Sequence, residues 1–490
     1  MCAEGEVHIS LHEMRMIKRE TLSSLMNPHM AFGVLTDSEV LLVDLVQGRR
    51  VLSARLLPPD SSELSGLLEY LWDTGLSTVW VMPTSTLSRT ATRARFEQVS
   101  SHWTIVVHAD PRESDRPSCV LLWPKGSSHG ERRRLALSFP EYGGWDWRLP
   151  DARSLLATVT YLDQVLATPA FDAAEGVAHQ LFTDLALDQA ASHLHSSSVN
   201  LPMLTGSNGH PIPLQNSAHD LTWVRPLSQV EQRQRYLHKY TSFSHILEAC
   251  LAVQLGAGAP QYSSTGRACN GVRPGIWRAR TELAGSVFDG KRLPSAVDGE
   301  WMSTPQVNCC RDIGYQVHIQ EGYYWSEMCE PLKRWATTLW QAASQLHTHP
   351  ERYQHAQGRA NASHTIQLLV RLGGEILLKE QAAGGWHRPD WWVQISGRSR
   401  ALLFAHLVGL VRKGTMPVLV SGDALWVVSD DPNPLTAVPG LVIPHRWRGY
   451  SVGYEVPLPL SREVREVFRT EEQASRVAMA LDTMAGEMLL

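Results

Sequence analysis

At 490 residues, with 43% hydrophobic and 19% charged residues, the chain exceeds what one core holds, so about two to four domains are expected. Composition excludes a disordered or low-complexity chain, and no apolar run of about 18 residues is present to form a membrane-spanning helix. A net charge of −4 excludes recruitment of a polyanion by overall charge and leaves that task to local basic clusters.

Residues 1–8, MCAEGEVH, are acidic and polar where a secretory signal has a basic and then an apolar region, which predicts a cytoplasmic protein. Seven cysteines (2, 119, 250, 269, 309, 310 and 329) are odd in number and include an adjacent pair. That pattern fits neither a disulfide framework nor a zinc site, and predicts reduced core residues.

Residues 1–148 read as α/β. Extended runs are expected at 31–35, 40–46 and 50–57, a helix at 61–72, a strand at 78–82, a helix at 90–99 and a strand at 103–107. Three strands, helix, strand, helix, strand is the order of a ribonuclease-H-like fold, shared by polymerase proofreading exonucleases. A nuclease of that fold needs a metal-holding acid within its first strand, and AFGVL at 31–35 has none. Asp37 falls in the following turn and Asp44 on the second strand, so no cutting is expected.

Residues 149–219 read as a helical connector and linker. Leu155, Val159, Leu162 and Leu166 recur at helical spacing, and 193–219 is rich in Ser, Asn, Gly and Pro. From 220 to 490 one continuous unit is expected. It has a helix at 229–255, an irregular stretch to 299, long helices at 324–346, 360–381 and 391–411, a hairpin around Asp423, and a C-terminal helix from Arg462. No internal repeat is present.

The hairpin carries the chemistry. In MPVLVSGDALWVVSDDP, from Met416 to Pro432, one carboxylate, Asp423, sits at the tip between two apolar strand-forming runs. Such a tip holds an acid accessible and fixed, as a palm sheet does for a metal-bound triphosphate. Two-metal phosphoryl transfer needs at least one further carboxylate a few ångströms away, because one cannot hold both cations against their repulsion.

Basic clusters at Arg132-Arg133-Arg134, Arg398 and Arg400, Arg412-Lys413, and Arg446-Trp447-Arg448 are candidates for phosphate contact. Trp447, flanked by two arginines, is the best candidate for base stacking. His347, His349 and His355 lack the spacing of a zinc site.

Several pieces occur in the order found in the palm and fingers of family B DNA polymerases: LTWVRPL from Leu221, LGAGAP from Leu255, PGIW from Pro274, WMSTP from Trp301, GYYW from Gly322, WHRPD from Trp386, and Ser421-Gly422-Asp423 through Leu435. The chain from about 220 to 454 resembles that family, and more narrowly the divergent actinobacterial polymerase-like proteins that include telomere-associated proteins of linear replicons. The resemblance implies a palm and fingers, magnesium (Mg2+) as cofactor only in an active enzyme, and DNA as partner, at an end, a primer-template or a single strand, with replication proteins as possible partners and no membrane.

It also assigns positions, and this chain departs from most of them. Thr241 stands where the family's first acid belongs, and a hydroxyl lacks the charge that bridges two cations. On the fingers helix Thr365, or its neighbour His364, stands where a triphosphate-binding Lys belongs; Arg371 would serve only in another register, and Gly373 fits the small position against which a base pair packs. The expectation is a nucleic-acid-binding replication or DNA-end maintenance factor on a degenerate, inactive polymerase scaffold. The alternatives are a divergent polymerase or nucleotidyltransferase that pairs Asp423 with Asp430, Asp431 or Glu248, and a protein-interaction scaffold.

Overall fold

The computed structural model describes residues 32–44, 50–55, 64–73, 76, 78–109, 116–125, 135–145, 147–166, 174–194, 204–207, 209–212, 222–242, 245–283, 301–312, 314–349, 352–378, 387–421, 424–438, 452–454, 457–470 and 473–488. They are a mixture of helices and strands in two compact units. The first takes residues 1–181 and 341–372, the second 182–340 and 373–490.

The first unit is built on strands β1 (Phe32–Leu35), β2 (Glu39–Asp44), β3 (Arg50–Arg55), β4 (Thr78–Val81), β5 (Trp103–Ala109), β6 (Pro117–Pro124) and β7 (Leu135–Ser138). They form one sheet in the order β3-β2-β1-β4-β7-β6-β5. β4 runs parallel to β1 and to β7, and all four of its side chains are buried. A parallel strand covered on both faces is near-continuously apolar, as the Val-Trp-Val run that follows Thr78 is. Leu155, Val159, Leu162 and Leu166 of the helix Ala152–Leu166 are all buried, so the helical spacing seen in sequence marks a core-facing stripe.

Two expectations here are corrected. The helix expected at 90–99 is two short ones, Thr86–Thr90 and Arg93–Gln98, because Ser85 caps the first through Ser88 N (3.1 Å) and Thr92 caps the second through Arg95 N. Each hydroxyl satisfies an orphan N–H and starts a new helix. Strands β6 and β7 were not expected. Pro117 and Pro124 bound β6, and proline is tolerated at strand ends where no ladder donor is needed.

The second unit contains β8 (Thr222–Val224), β9 (Tyr236–Ser242), β10 (Leu255–Ala257), β11 (Gln261–Ser263), β12 (Gly275–Leu283), β13 (Trp301–Ser303), β14 (Tyr315–Tyr324), β15 (Glu327–Cys329), β16 (Leu419–Ser421), β17 (Ala424–Ser429), β18 (Val452–Tyr454) and β19 (Leu458–Pro459). The sheet bearing the hairpin has the order β18-β9-β17-β16-β8, with β19 also on β9. Its pairings are antiparallel. A second sheet has the order β11-β14-β12-β13, and β10 pairs with β15.

The helix expected at 229–255 does not form. Residues 231–233 make a 3-10 turn, 236–242 become β9, and only His245–Ala252 is helical. β9 is hydrogen-bonded on both edges, by β17 and by β18, so pairing with strands almost 200 residues away overrides local helical preference. The irregular stretch expected to 299 contains β10, β11 and β12. The helix expected from 324 begins at Lys333, because residues 315–320 alternate between partly buried and exposed with period two and belong to β14. The helices Ala356–Leu378 and Pro389–Arg412 stand near their expected positions. The C-terminal helix from Arg462 is two, Arg462–Thr470 and Ala474–Met488.

Candidate functional site

β16 and β17 pair with Leu419 opposite Trp426, Val420 opposite Leu425 and Ser421 opposite Ala424. Gly422 and Asp423, which fall between the two strands in sequence, lie outside the described residues. Both faces of the hairpin are buried. Val420, Leu425 and Val427 share a core with Tyr240, Trp277 and Phe404, while Leu419, Ala424, Trp426 and Val428 share another with Leu237 and Phe468. Burial on both faces accounts for the near-continuous apolar runs read in the sequence.

The cross-strand register defines what borders the tip. Ser421 is opposite Thr222, Ala424 is opposite Thr241, Thr241 is opposite Gly453 and Ser242 is opposite Val452. Among the described residues, that end of the sheet carries hydroxyl and aliphatic residue types and no carboxylate. Asp430 and Asp431 follow the other end of β17. Its six residues, at about 3.3 Å each, set them roughly 20 Å from Ala424.

Asp431 is also occupied. Its carboxylate accepts from Asn433 N (2.8 Å) and from Thr436 Oγ1 (2.5 Å), and the Thr436 bond, then the Asn433 bond, hold it below the usual carboxylate range. Asp430 lies 3.8 Å from Arg235. Glu248 sits on the helix His245–Ala252, which follows β9. Its Oε2 is buried with no hydrogen-bond partner among the described residues. No group of three or more His, Cys, Asp or Glu among the described residues is arranged to hold a metal ion.

The same helix brings His245 to His406 of the helix Pro389–Arg412, with Nε2 and Nδ1 3.1 Å apart. Burial, and then His406, push His245 down to about 3; burial lowers His406 as well. His238 of β9 is fully buried with Nε2 2.8 Å from the Asp431 carbonyl, and burial lowers it too. These rings are neutral in the folded chain near pH 7. The unfolded chain binds protons below about pH 6.5, where the native rings do not. Stability is therefore full above that pH and falls as the medium is acidified toward the native values. By pH 5 His245 alone is expected to remove about 2 kcal/mol, read as a falling urea midpoint that flattens in a His245→Gln variant.

The positions taken from the fingers pattern divide between the units. Thr365 is in the first unit and 1% exposed. Its hydroxyl accepts from Trp147 Nε1 (2.7 Å) and donates to the Asn361 carbonyl (2.9 Å). Next to it, buried Asn361 brackets Arg148, donating to its carbonyl (2.8 Å) and accepting from its N–H (3.2 Å). Arg371 is exposed on the same helix. Gly373 belongs to the second unit, where a Cβ would overlap the Trp335 ring. Close helix packing gives a local reason for glycine there.

Arg398 and Arg400 are half-buried on the helix Pro389–Arg412. Thr241 lies in β9, and Arg446, Trp447 and Arg448 lie outside the described residues. Sequence reading missed the buried His245–His406 pair and the Arg388–Asp390 pair. The first has no motif; Arg388 and Asp390 lie in the WHRPD piece, whose Arg388-Pro389-Asp390 carries the signal of a helix start, with Pro in the first turn, but neither that signal nor the piece's order states that the two side chains pair.

No protein-family model matches the sequence, and no curated protein matches it. Among solved structures the chain is weakly similar to phi29 DNA polymerase complexed with primer-template DNA and incoming nucleotide substrates. That match has a TM-score of 0.43 and 8% identity, over 83% of this chain and 82% of that one. It is similarly weakly similar to phi29 DNA polymerase in a post-translocation binary complex with primer-template DNA, with a TM-score of 0.42 and 9% identity over 86% and 84% of the two chains. Among the described residues, no helix is long and apolar enough to cross a membrane.

Proposed function

We propose that the chain is a nucleic-acid-binding protein on a polymerase-like scaffold, acting in replication or DNA-end maintenance at ends, primer-templates or single strands without polymerising. The observation that carries this reading is the register of β9 against β17. Thr241 is opposite Ala424, the neighbour of Asp423, so a hydroxyl residue occupies the strand position where a second carboxylate would help hold magnesium. Without that charge a cation pair is not worth its desolvation, and a triphosphate has no counterion to carry it into place.

We read the first unit as ribonuclease-H-like. Its inner order, β3-β2-β1-β4-β7, with β1 antiparallel to β2 and parallel to β4, supports that reading. No acid occurs in β1. Asp37, just beyond it, accepts from Thr86 N (2.6 Å) and lies 3.8 Å from Arg89. This unit would bind or brace rather than cut.

Purified protein is expected to bind DNA in fluorescence anisotropy, more tightly as salt is lowered. It is expected to extend no primer with magnesium or manganese, and Asp423→Ala is expected to change neither result. Primer extension or metal-dependent triphosphate binding that disappears in Asp423→Ala overturns the inactive reading. Absence of DNA binding at the lowest salt points to a protein-interaction scaffold instead.

A further inference from the structure

We infer that the ridge formed by the loop 266–274 and the helix Thr304–Asp312 binds the backbone of single-stranded nucleic acid through Arg267, Arg273 and Arg311. The inference rests on the nucleic-acid-binding reading above and assigns it a surface.

The ridge is built by one face of a helix. Thr304 Oγ1 donates to the Arg273 carbonyl (2.9 Å), Asn308 Nδ2 donates to the Gly271 carbonyl (2.7 Å), and the Arg311 side chain bonds to Cys269. Positions 304, 308 and 311 lie on one helical stripe, so loop and helix run alongside each other in opposite directions for about 10 Å. The loop is fixed further by Asn270, whose Oδ1 accepts from Val272 N (3.1 Å) and Arg273 N (3.0 Å). Gly271 takes φ +78°, with Asn308 Oδ1 3.0 Å from where a Cβ would stand; the positive φ favours glycine.

On this fixed frame Arg267, Arg273 and Arg311 are all exposed, and none forms an ion pair among the described residues. Other arginines of the unit do pair with acids, as Arg225 does with Glu231, Arg280 with Glu282 and Arg469 with Glu466. Within 266–274 and 304–312 the one acid is Asp312, beside Arg311, which offsets part of the charge. Three guanidinium groups on a preorganised ridge suit a polyanion, since less ordering is lost on binding. A span of about 10 Å matches roughly three phosphates of one strand.

Aromatic neighbours favour a single strand over a duplex. The Arg273 guanidinium lies 5.7 Å from the centre of the Tyr324 ring, which is partly exposed. Tyr262, on the β11 strand leading into the loop, is 46% exposed. Unpaired bases stack on such rings, whereas duplex bases are already stacked on one another.

The test is anisotropy with a fluorescein-labelled oligodeoxythymidine about 16 nucleotides long, within the usual site size of single-strand binders. The R267Q/R273Q/R311Q variant is expected to bind at least about tenfold more weakly at low salt, and the slope of log affinity on log salt is expected to fall by about 2. Asp312→Asn, which removes the one opposing charge, is expected to tighten binding about threefold. R267Q/R273Q, which leaves the Arg311–Cys269 contact intact, is expected to lose part of the affinity at an unchanged urea midpoint. Wild-type protein that binds and a triple variant with the same affinity and slope overturn this inference alone. Wild-type protein that binds no strand at all overturns the functional reading with it. Equal loss of duplex and single-strand affinity overturns the single-strand assignment.

Discussion

Replacing Asp390 with Ala is expected to cost about 3–5 kcal/mol, because it leaves a guanidinium buried with no counter-charge. Arg388 is 4% exposed and Asp390 1%. The pair is bidentate, with Arg388 Nε and an Nη 2.8 and 2.7 Å from the two carboxylate oxygens. The same guanidinium donates to the Gly256 carbonyl (2.7 Å), which also accepts from Trp391 Nε1 (2.8 Å). It also lies 4.1 Å from the centre of the Trp391 ring. One charged fork therefore ties β10 to the start of the helix Pro389–Arg412. Removing both charges in R388M/D390L is expected to cost less than D390A alone, since no unpaired charge remains. Urea unfolding measures both, and a D390A midpoint equal to wild type would show that the pair does not hold this junction.

Trp277→Ala is expected to cost about 3–5 kcal/mol, and its coupling to nearby glycines gives a sharper test. Trp277 is fully buried, and its Nε1 donates to Thr304 Oγ1 (2.9 Å), the hydroxyl that in turn holds Arg273. The three atoms nearest a Cβ at Gly275 would all be ring atoms of Trp277, at 2.6 Å, whereas one at Gly322 would also stand 2.6 Å from the Ile276 carbonyl oxygen. Gly275→Ala is thus expected to cost about 1–3 kcal/mol in the wild type and much less once Trp277 is Ala. Gly322→Ala stays costly in both backgrounds. A double-mutant cycle measures the difference. Equal costs for Gly275→Ala in both backgrounds would remove the ring as the cause.

The local features were legible. Two apolar runs around Ser421-Gly422-Asp423 predicted β16 and β17, because burial on both faces leaves a direct mark on composition. The stripe Leu155, Val159, Leu162, Leu166 predicted a core-facing helix for the same reason. The failures involve non-local pairing. β9 read as helix because Tyr236–Ser242 has no strict alternation, and its strand character comes from β17 and β18 on either side. β14 became a strand through pairing with β11 and β12. Order along a helix does not state which way the Thr365 side chain faces. Its hydroxyl is enclosed with Trp147 and Asn361.

The sequence alone determined which residue types are available: one acid, Asp423, between two strand-forming runs, a hydroxyl at Thr241, and no acid in β1. Residue identity decides what charge a site can carry, and no fold can change that. Tertiary structure decided distance and company. It set Asp430 and Asp431 a strand's length from Ala424, enclosed the Arg388–Asp390 pair, and placed Arg273 and Arg311 beside the contacts that join the loop 266–274 to the helix Thr304–Asp312. Those arrangements depend on contacts between segments far apart in the chain, which local pattern does not encode.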